Sequence, residues 1–245
     1  MNLYGLIGYP LGHSFSKKYF SEKFEREGLG DCSFELFPIE QIDQFSQLLA
    51  NHPALNGMAV TIPYKETVMP YLQQLSAEAK SIGAVNCIEF LPDGLKGHNT
   101  DVLGFEQSFA PLLSPWHNKA LVLGTGGASK AVQFVLKKLG IPFLLVSRNA
   151  EGADRIAYDQ LDAAVMKEYT IIINSSPVGM YPHVNDKPSI PYSLISSQHY
   201  LYDLVYRPEE TAFLKEGKEK GATIKNGYDM LVLQAEENWK IWNEL

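Results

Sequence analysis

Lys65 and Asp101 each close a short segment rich in polar groups, Val60-Thr61-Ile62-Pro63-Tyr64-Lys65 and Gly97-His98-Asn99-Thr100-Asp101. Each segment follows an apolar run that reads as a strand, and Pro63 turns the chain out of strand pairing just before the lysine. An amine and a carboxylate brought together can move a proton to or from an alcohol. Both residues lie upstream of a glycine-rich turn, Gly124-Thr125-Gly126-Gly127-Ala128, of the kind that receives a dinucleotide. Proton transfer beside a nicotinamide is the chemistry of an alcohol dehydrogenase that needs no metal. The same residues have plainer uses. A lone lysine usually serves solubility, and Asn99, Thr100 or Asp101 could cap the helix that follows.

The glycine turn sits between an apolar run, Ala120–Leu123, and a helical pattern over Ala128–Leu139, the context a dinucleotide fingerprint requires. Gly124 permits a sharp turn, Gly126 and Gly127 let a pyrophosphate approach the backbone, and amides at the helix start from Ala128 meet its charge. The usual third glycine is Ser129 here, and such turns also occur without ligands. Where an NAD fold places an acid on the ribose, this chain has Ser147-Arg148-Asn149. Arg148 can stack on adenine and pair with a 2′-phosphate, which predicts NADP as the cofactor. Elsewhere in a chain such an arginine would be a solvated loop residue.

Bulk properties narrow the alternatives. With 245 residues, 45% hydrophobic and 20% charged, the chain is long enough for one large domain or two smaller ones. A net charge of −7 opposes a phosphate backbone, so no nucleic-acid partner is expected. No apolar run approaches the ~20 residues that span a bilayer, and no signal peptide is recognisable, so a cytoplasmic enzyme without a membrane partner is expected. Cys32 and Cys87 form no Cys-x-x-Cys pair, and the histidines lack paired ligand spacing, so no metal is expected. Nothing in the sequence chooses between a monomer and a homodimer.

The elements that must position these residues alternate. Strands are predicted at Leu3–Ile7, Ser33–Pro38 and Met58–Ile62, with helices at Ser16–Glu27 and about Gln41–Ala50. Val85–Phe90 and Leu95–His98 read as a hairpin turning at Asp93-Gly94. Further on, strands are predicted at Ala120–Leu123, Phe143–Val146, Thr170–Asn174 and Tyr200–Leu204. Helices are predicted at Val102–Phe109, Ala128–Leu139, Glu209–Lys220 and Met230–Trp242. The alternation predicts an α/β fold, and the residue pattern places a boundary at Pro111–Pro115.

Assembled in order, these segments closely resemble the shikimate dehydrogenase family. Gly8-Tyr9-Pro10-Leu11-Gly12-His13-Ser14-Phe15-Ser16 is similar to its N-terminal substrate motif. The Val60–Lys65 segment, Ile82-Gly83-Ala84-Val85-Asn86 and the Gly97–Asp101 segment are similar to its central motifs. Asn174-Ser175-Ser176-Pro177-Val178-Gly179-Met180, Asp203-Leu204-Val205-Tyr206-Arg207-Pro208 and Asn226-Gly227-Tyr228-Asp229-Met230-Leu231-Val232-Leu233-Gln234 complete the set. Lys17, Ala59 and Cys87 stand where the family often has proline, asparagine and threonine, and Ser147 and Asn149 flank Arg148 in place of the usual Asn and Thr.

The resemblance implies two α/β domains with a cleft between them: a substrate domain (1–101 plus 228–245) and a Rossmann-like NADP domain (102–227), the C-terminal helix returning to the first. It implies NADP-linked interconversion of shikimate and 3-dehydroshikimate in aromatic biosynthesis, with Lys65 and Asp101 as the catalytic pair. Ser14, Ser16 and Tyr206 would hold the substrate carboxylate, and Thr61, Asn86, Asp101 and Gln234 its ring hydroxyls. Ser175, Gly179, Met180, Gly227 and Met230 would border the cofactor. Ser14 and Ser16 could otherwise merely cap the first helix, and Gln234 face solvent. Two further readings are a quinate/shikimate enzyme that also uses NAD, and a catalytically silent sensor of the pathway's metabolites.

Overall fold

Apolar runs of four to seven residues form the central strands, and amphipathic stretches between the strands form the helices. A computed structural model of the chain describes every residue except Met1, His13, Asn149, Glu244 and Leu245. It divides into two compact units, Met1–Thr100 with Ala235–Leu245, and Asp101–Gln234.

The first unit contains β1 (Asn2–Gly8), α1 (Phe15–Arg26), β2 (Cys32–Pro38), α2 (Gln44–Asn51), β3 (Leu55–Val60), β4 (Gln74–Leu75), α3 (Ala77–Ile82), β5 (Cys87–Leu91) and β6 (Gly94–His98). They form a six-stranded sheet in the order β2-β1-β3-β5-β6-β4. β1 runs parallel to both neighbours, and β5 runs antiparallel to β3 and β6. The hairpin turns at Gly94, whose φ of 140° suits glycine. β3 stops at Val60, short of the predicted Ile62. The Thr61 carbonyl accepts from the Tyr64 amide in a turn, which leaves Ile62 73% exposed despite its hydrophobicity.

The second unit contains α4 (Asp101–Phe109), β7 (Ala120–Leu123), α5 (Gly127–Lys138), β8 (Phe143–Val146), β9 (Arg155–Ile156), α6 (Ala163–Glu168), β10 (Ile171–Asn174), β11 (Tyr200–Asp203), α7 (Ala212–Glu219) and β12 (Thr223–Asn226). The last helix, α8 (Tyr228–Trp242), begins in this unit and ends in the first. All six strands are parallel, in the order β12-β11-β10-β7-β8-β9. Counted from β7, this is the 3-2-1-4-5-6 order of a doubly wound dinucleotide fold. The central strands β7 and β10 are buried throughout, as parallel strands covered on both faces must be. Chain assignment passes from one unit to the other at Thr100–Asp101, so α4 and the Pro111–Pro115 segment belong to the second. The predicted helix at Glu209 starts instead at Ala212, where the Thr211 hydroxyl accepts from the Leu214 amide as its cap.

Aromatic packing fastens the end of α8 into the first unit. Trp239 and Trp242 join Tyr4, Phe20, Phe24 and Phe34 in one buried cluster, with the Tyr4 and Trp242 rings stacked at 5.3 Å. Such a ring pair adds about 0.5–1.5 kcal/mol beyond the area it buries. Only glycine fits at position 57, where a Cβ would lie 2.3 Å from Trp242 Cγ. The indole Nε1 donates to the Ile88 carbonyl at 3.0 Å. Lys23, buried beneath this helix, pairs with Glu27 and Glu236 at 2.9 Å each.

Two buried histidines close the amino edge of the parallel sheet. His117 Nδ1 accepts from the Ser114 amide at 2.9 Å while Nε2 donates to the Gln198 carbonyl at 3.0 Å. His199 repeats the pattern with the Ser196 amide at 3.1 Å and the Met166 carbonyl at 2.9 Å. A ring that accepts on one nitrogen and donates on the other is neutral. Burial, opposed by the backbone carbonyls, holds both below the ordinary histidine pKa of 6.5. The unfolded chain therefore takes up protons first on acidification. The stability these rings contribute is complete above their ordinary pKa and is lost as pH falls through the lowered folded values. The expected drop in melting temperature between about pH 7.5 and 5.5 is smaller in His117→Asn than in the wild type. Equal drops in the two proteins would contradict this.

Candidate active site

In the first unit, the sequence-predicted residues converge on one edge of the sheet. β1 and β3 end there, at Gly8 and Val60, and antiparallel β5 begins there, with Cys87 opposite both Ala59 and His98. The loop after β1 ends on Ser14, Ser16 sits in the first turn of α1, the turn after β3 carries Thr61 and Lys65, and Asn86 precedes β5. Each is fixed by its backbone. The Thr61 amide donates to Ile7 at 2.9 Å, and the Lys65 carbonyl accepts from Val85 at 2.7 Å. Tyr64, buried beside the lysine, donates its hydroxyl to the Ile39 carbonyl. Gly8 leaves room for this turn, because a Cβ there would sit 2.4 Å from Thr61 Cγ2.

Ser14 caps α1, its Oγ accepting from the Lys17 amide at 3.4 Å. Its acceptor side thus serves the helix while its proton can donate outward, beside amides that favour an anion. Asn86 is 3% exposed, and its Oδ1 accepts from the Thr100 amide at 2.7 Å and the Thr100 hydroxyl at 3.2 Å. The Asn86 carbonyl also accepts from Val60 at 2.8 Å, and its amide donates to His98 at 3.0 Å. One asparagine therefore joins the ends of β3 and β6. Asp101, the next residue after Thr100, is buried and opens α4.

In the second unit, the predicted cofactor residues line the carboxyl edge of the parallel sheet. Strand order reverses between β7 and β10, the place where doubly wound folds bind their ligands. Gly124 follows β7 with a φ of 107°, and the Ser175 hydroxyl after β10 donates to the Leu123 carbonyl at 2.9 Å. Gly126 caps α5 with no side-chain bond, so side chains leave the first amides of that helix uncovered. A Cβ on Gly126 or Gly127 would meet nothing within 4 Å. Ala128 follows in the first turn of α5. Ser147 and exposed Arg148 follow β8, while Asn149 lies outside the described residues.

Gly179 has a φ of 91°, and the neighbouring Met180 is 49% exposed. Gly227 follows β12 so tightly that a Cβ would come within 2.2 Å of the Leu204 carbonyl. Met230 and Gln234 are buried on α8, and Gln234 Nε2 donates to the Leu231 carbonyl at 2.8 Å. Gly104 of α4 allows this packing, since a Cβ there would lie 2.5 Å from the Met230 carbonyl. Tyr206 is half-buried, and burial, partly offset by Arg207, pushes its hydroxyl pKa up, so near neutral pH it is a donor.

Two residues of this edge lie outside the predicted set, Asn174 and Asp203. They end β10 and β11, stand opposite each other in the register, and are wholly buried. Their signal in the sequence is that each opens a segment similar to a family motif, Asn174–Met180 and Asp203–Pro208, though the resemblance assigns neither residue a role.

Among the described residues no group of three His, Cys, Asp or Glu could hold a metal ion, and no helix is long and apolar enough to cross a membrane. The family model for the shikimate dehydrogenase substrate binding domain matches residues 6–88. A shikimate dehydrogenase (NADP(+)) of Carboxydothermus hydrogenoformans is 36% identical, over 98% of this chain and 91% of that protein. The crystal structure of a chorismate mutase/shikimate 5-dehydrogenase fusion protein from Clostridium acetobutylicum matches with a TM-score of 0.89 at 34% identity, over 100% of this chain and 92% of that one. Shikimate 5-dehydrogenase from Thermus thermophilus, solved with NADP(H) and shikimate, matches with a TM-score of 0.84 at 30% identity, over 100% of this chain and 94% of that one. On a likeness that spans both sheets and nearly the whole sequence, the chain belongs to the shikimate dehydrogenase family.

Proposed function

We propose that this chain is an NADP-dependent dehydrogenase that interconverts shikimate and 3-dehydroshikimate. The observation that carries the reading is the reversal point of the parallel sheet. There the start of α5, which no side chain caps, and open space beside Gly126 and Gly127 fit a pyrophosphate. Arg148, exposed after β8, fits the 2′-phosphate, and its sequence neighbours Ser147 and Asn149 are assigned to the same group. Ser175, Gly179, Met180, Gly227 and Met230 border the nicotinamide end. Bound there, NADP supplies a hydride acceptor in the oxidative direction. The substrate-binding part is residues 1–101 with 228–245, and the cofactor-binding part is 102–227.

The protein's own groups handle the substrate and its proton. Ser14, Ser16 and Tyr206 bind the carboxylate as hydroxyl donors, without adding a second strong cation beside Lys65. Thr61, Asn86, Asp101 and Gln234 bind the ring hydroxyls. Because Asn86 Oδ1 accepts from Thr100, a substrate oxygen would meet the Nδ2 side of that amide. Lys65 takes the proton from the C3 hydroxyl as the C–H bond breaks, and Asp101 bonds the same region and fixes the amine's direction. The rigid backbone around Lys65 favours this task, since proton transfer requires donor and acceptor within about 3 Å.

Absorbance of reduced nicotinamide, followed with shikimate and NADP and repeated with quinate and with NAD, tests the substrate and cofactor together. Lys65→Ala is expected to lower kcat by about a hundredfold or more with a much smaller change in KM. Near-normal turnover in that variant would defeat the assignment. Arg148→Ala is expected to raise KM for NADP about tenfold or more while changing the constants for NAD less than about twofold. Equal losses with both cofactors would remove Arg148 from phosphate recognition.

A further inference from the structure

The ends of β10 and β11 carry a buried polar chain that the reaction as described does not use. Asn174 Oδ1 accepts from the Ser176 amide at 3.1 Å and the Ser176 hydroxyl at 2.6 Å, and Nδ2 donates to the Val178 carbonyl at 3.2 Å. The same Nδ2 donates to Asp203 Oδ1 at 2.9 Å. Asp203 Oδ1 also accepts from the Val205 amide at 3.0 Å, and Oδ2 accepts from the Thr211 hydroxyl at 2.6 Å. Thr211 in turn caps α7.

Every segment tied in this way leads to residues assigned to the cofactor or the substrate. Ser176 and Val178 belong to the loop that carries Ser175, Gly179 and Met180, and the Cβ that Gly179 lacks would lie 3.9 Å from Thr211 Cβ. Val205 immediately precedes Tyr206, and its carbonyl accepts from the Gly227 amide at 3.5 Å. On the reading of this chain as a dehydrogenase, we propose that Asp203 is a positioning residue. Its carboxylate holds the loops after β10 and β11 at the height where they receive the nicotinamide end of NADP.

The choice of side chain argues for more than filling space. Asp203 is wholly buried and, among the described residues, has no ion-pair partner. An isolated buried charge is a costly tie, and burial pushes its carboxyl pKa up to about 6 against the pull of its three donors. An ionised carboxylate accepts from all three donors with both oxygens, two on Oδ1 and one on Oδ2. An asparagine of the same shape has one acceptor oxygen, and its own NH2 would face the Asn174 amide or the Thr211 hydroxyl. The shape would survive while the tie was cut.

The test measures NADP binding by calorimetry alongside steady-state kinetics in Asp203→Asn, Thr211→Val and Thr211→Ser. Asp203→Asn and Thr211→Val are expected to raise both Kd and KM for NADP about tenfold, with kcat at saturating cofactor falling less than about threefold. Thr211→Ser restores the hydroxyl and is expected to return both constants to within about twofold of the wild type. If kcat falls while Kd and KM stay at wild-type values, the residue only maintains the folded fraction and the proposal is overturned. Wild-type constants throughout also overturn it. Should Asp203→Asn fail to fold, the Thr211 pair decides by the same criteria. Wild-type turnover of shikimate with NADP reports separately on the dehydrogenase reading, and the calorimetric Kd does not depend on turnover.

Discussion

Where a buried strand ends, the next backbone groups lose their ladder partners while still away from water, and something must replace those hydrogen bonds. In both units of this chain a buried side chain does so at the edge to which we assign the chemistry. Asn86 replaces them in the first unit, accepting from Thr100 and linking the ends of β3 and β6. Asn174 and Asp203 do so in the second, at the ends of β10 and β11. Because leaving such a group unmade costs about 1–3 kcal/mol, these ties are strongly specified. They tie the strand ends to the backbone beside Lys65, Gly179 and Tyr206.

Close approach is the second device, and it works through missing atoms. Gly57 admits Trp242, Gly8 admits Thr61, Gly104 admits the backbone of α8, and Gly227 lies against the Leu204 carbonyl. Each contact would fail with a single added methyl, since packed interiors lack room to relax. The aromatic cluster at the end of α8 thus does more than bury area. It anchors the far end of α8 among Tyr4, Phe20 and Phe24.

Much of this was legible in the residues themselves. The short apolar runs at Ala120–Leu123, Phe143–Val146, Thr170–Asn174 and Tyr200–Leu204 announce strands, and the glycine turn after the first points to a cofactor edge. The Val60–Lys65 segment reveals a turn because Pro63 cannot pair, though hydrophobicity carries the predicted strand too far, to the exposed Ile62. Short edge strands escaped, since β9 is only Arg155–Ile156 and β12 mixes Thr, Lys and Asn with one isoleucine. So did the part played by Asp203. An aspartate after Tyr-Leu-Tyr looks like a turn residue until the register sets it opposite Asn174. Side-chain division of labour is likewise absent from the sequence. Ser14 both caps α1 and presents a donor, and only the geometry of its oxygen separates the two tasks.

The claim that matters most is that the C3 carbon of shikimate gives up its hydrogen directly to NADP while Lys65 removes the hydroxyl proton. A single-turnover experiment with shikimate carrying deuterium at C3 tests it directly, with mass spectrometry of the nicotinamide product. Deuterium recovered in the reduced cofactor, with formation slowed by the heavier isotope and slowed about a hundredfold or more in Lys65→Ala, is the expected result. Reduced cofactor without deuterium, or no reduction by the wild-type protein, would contradict it.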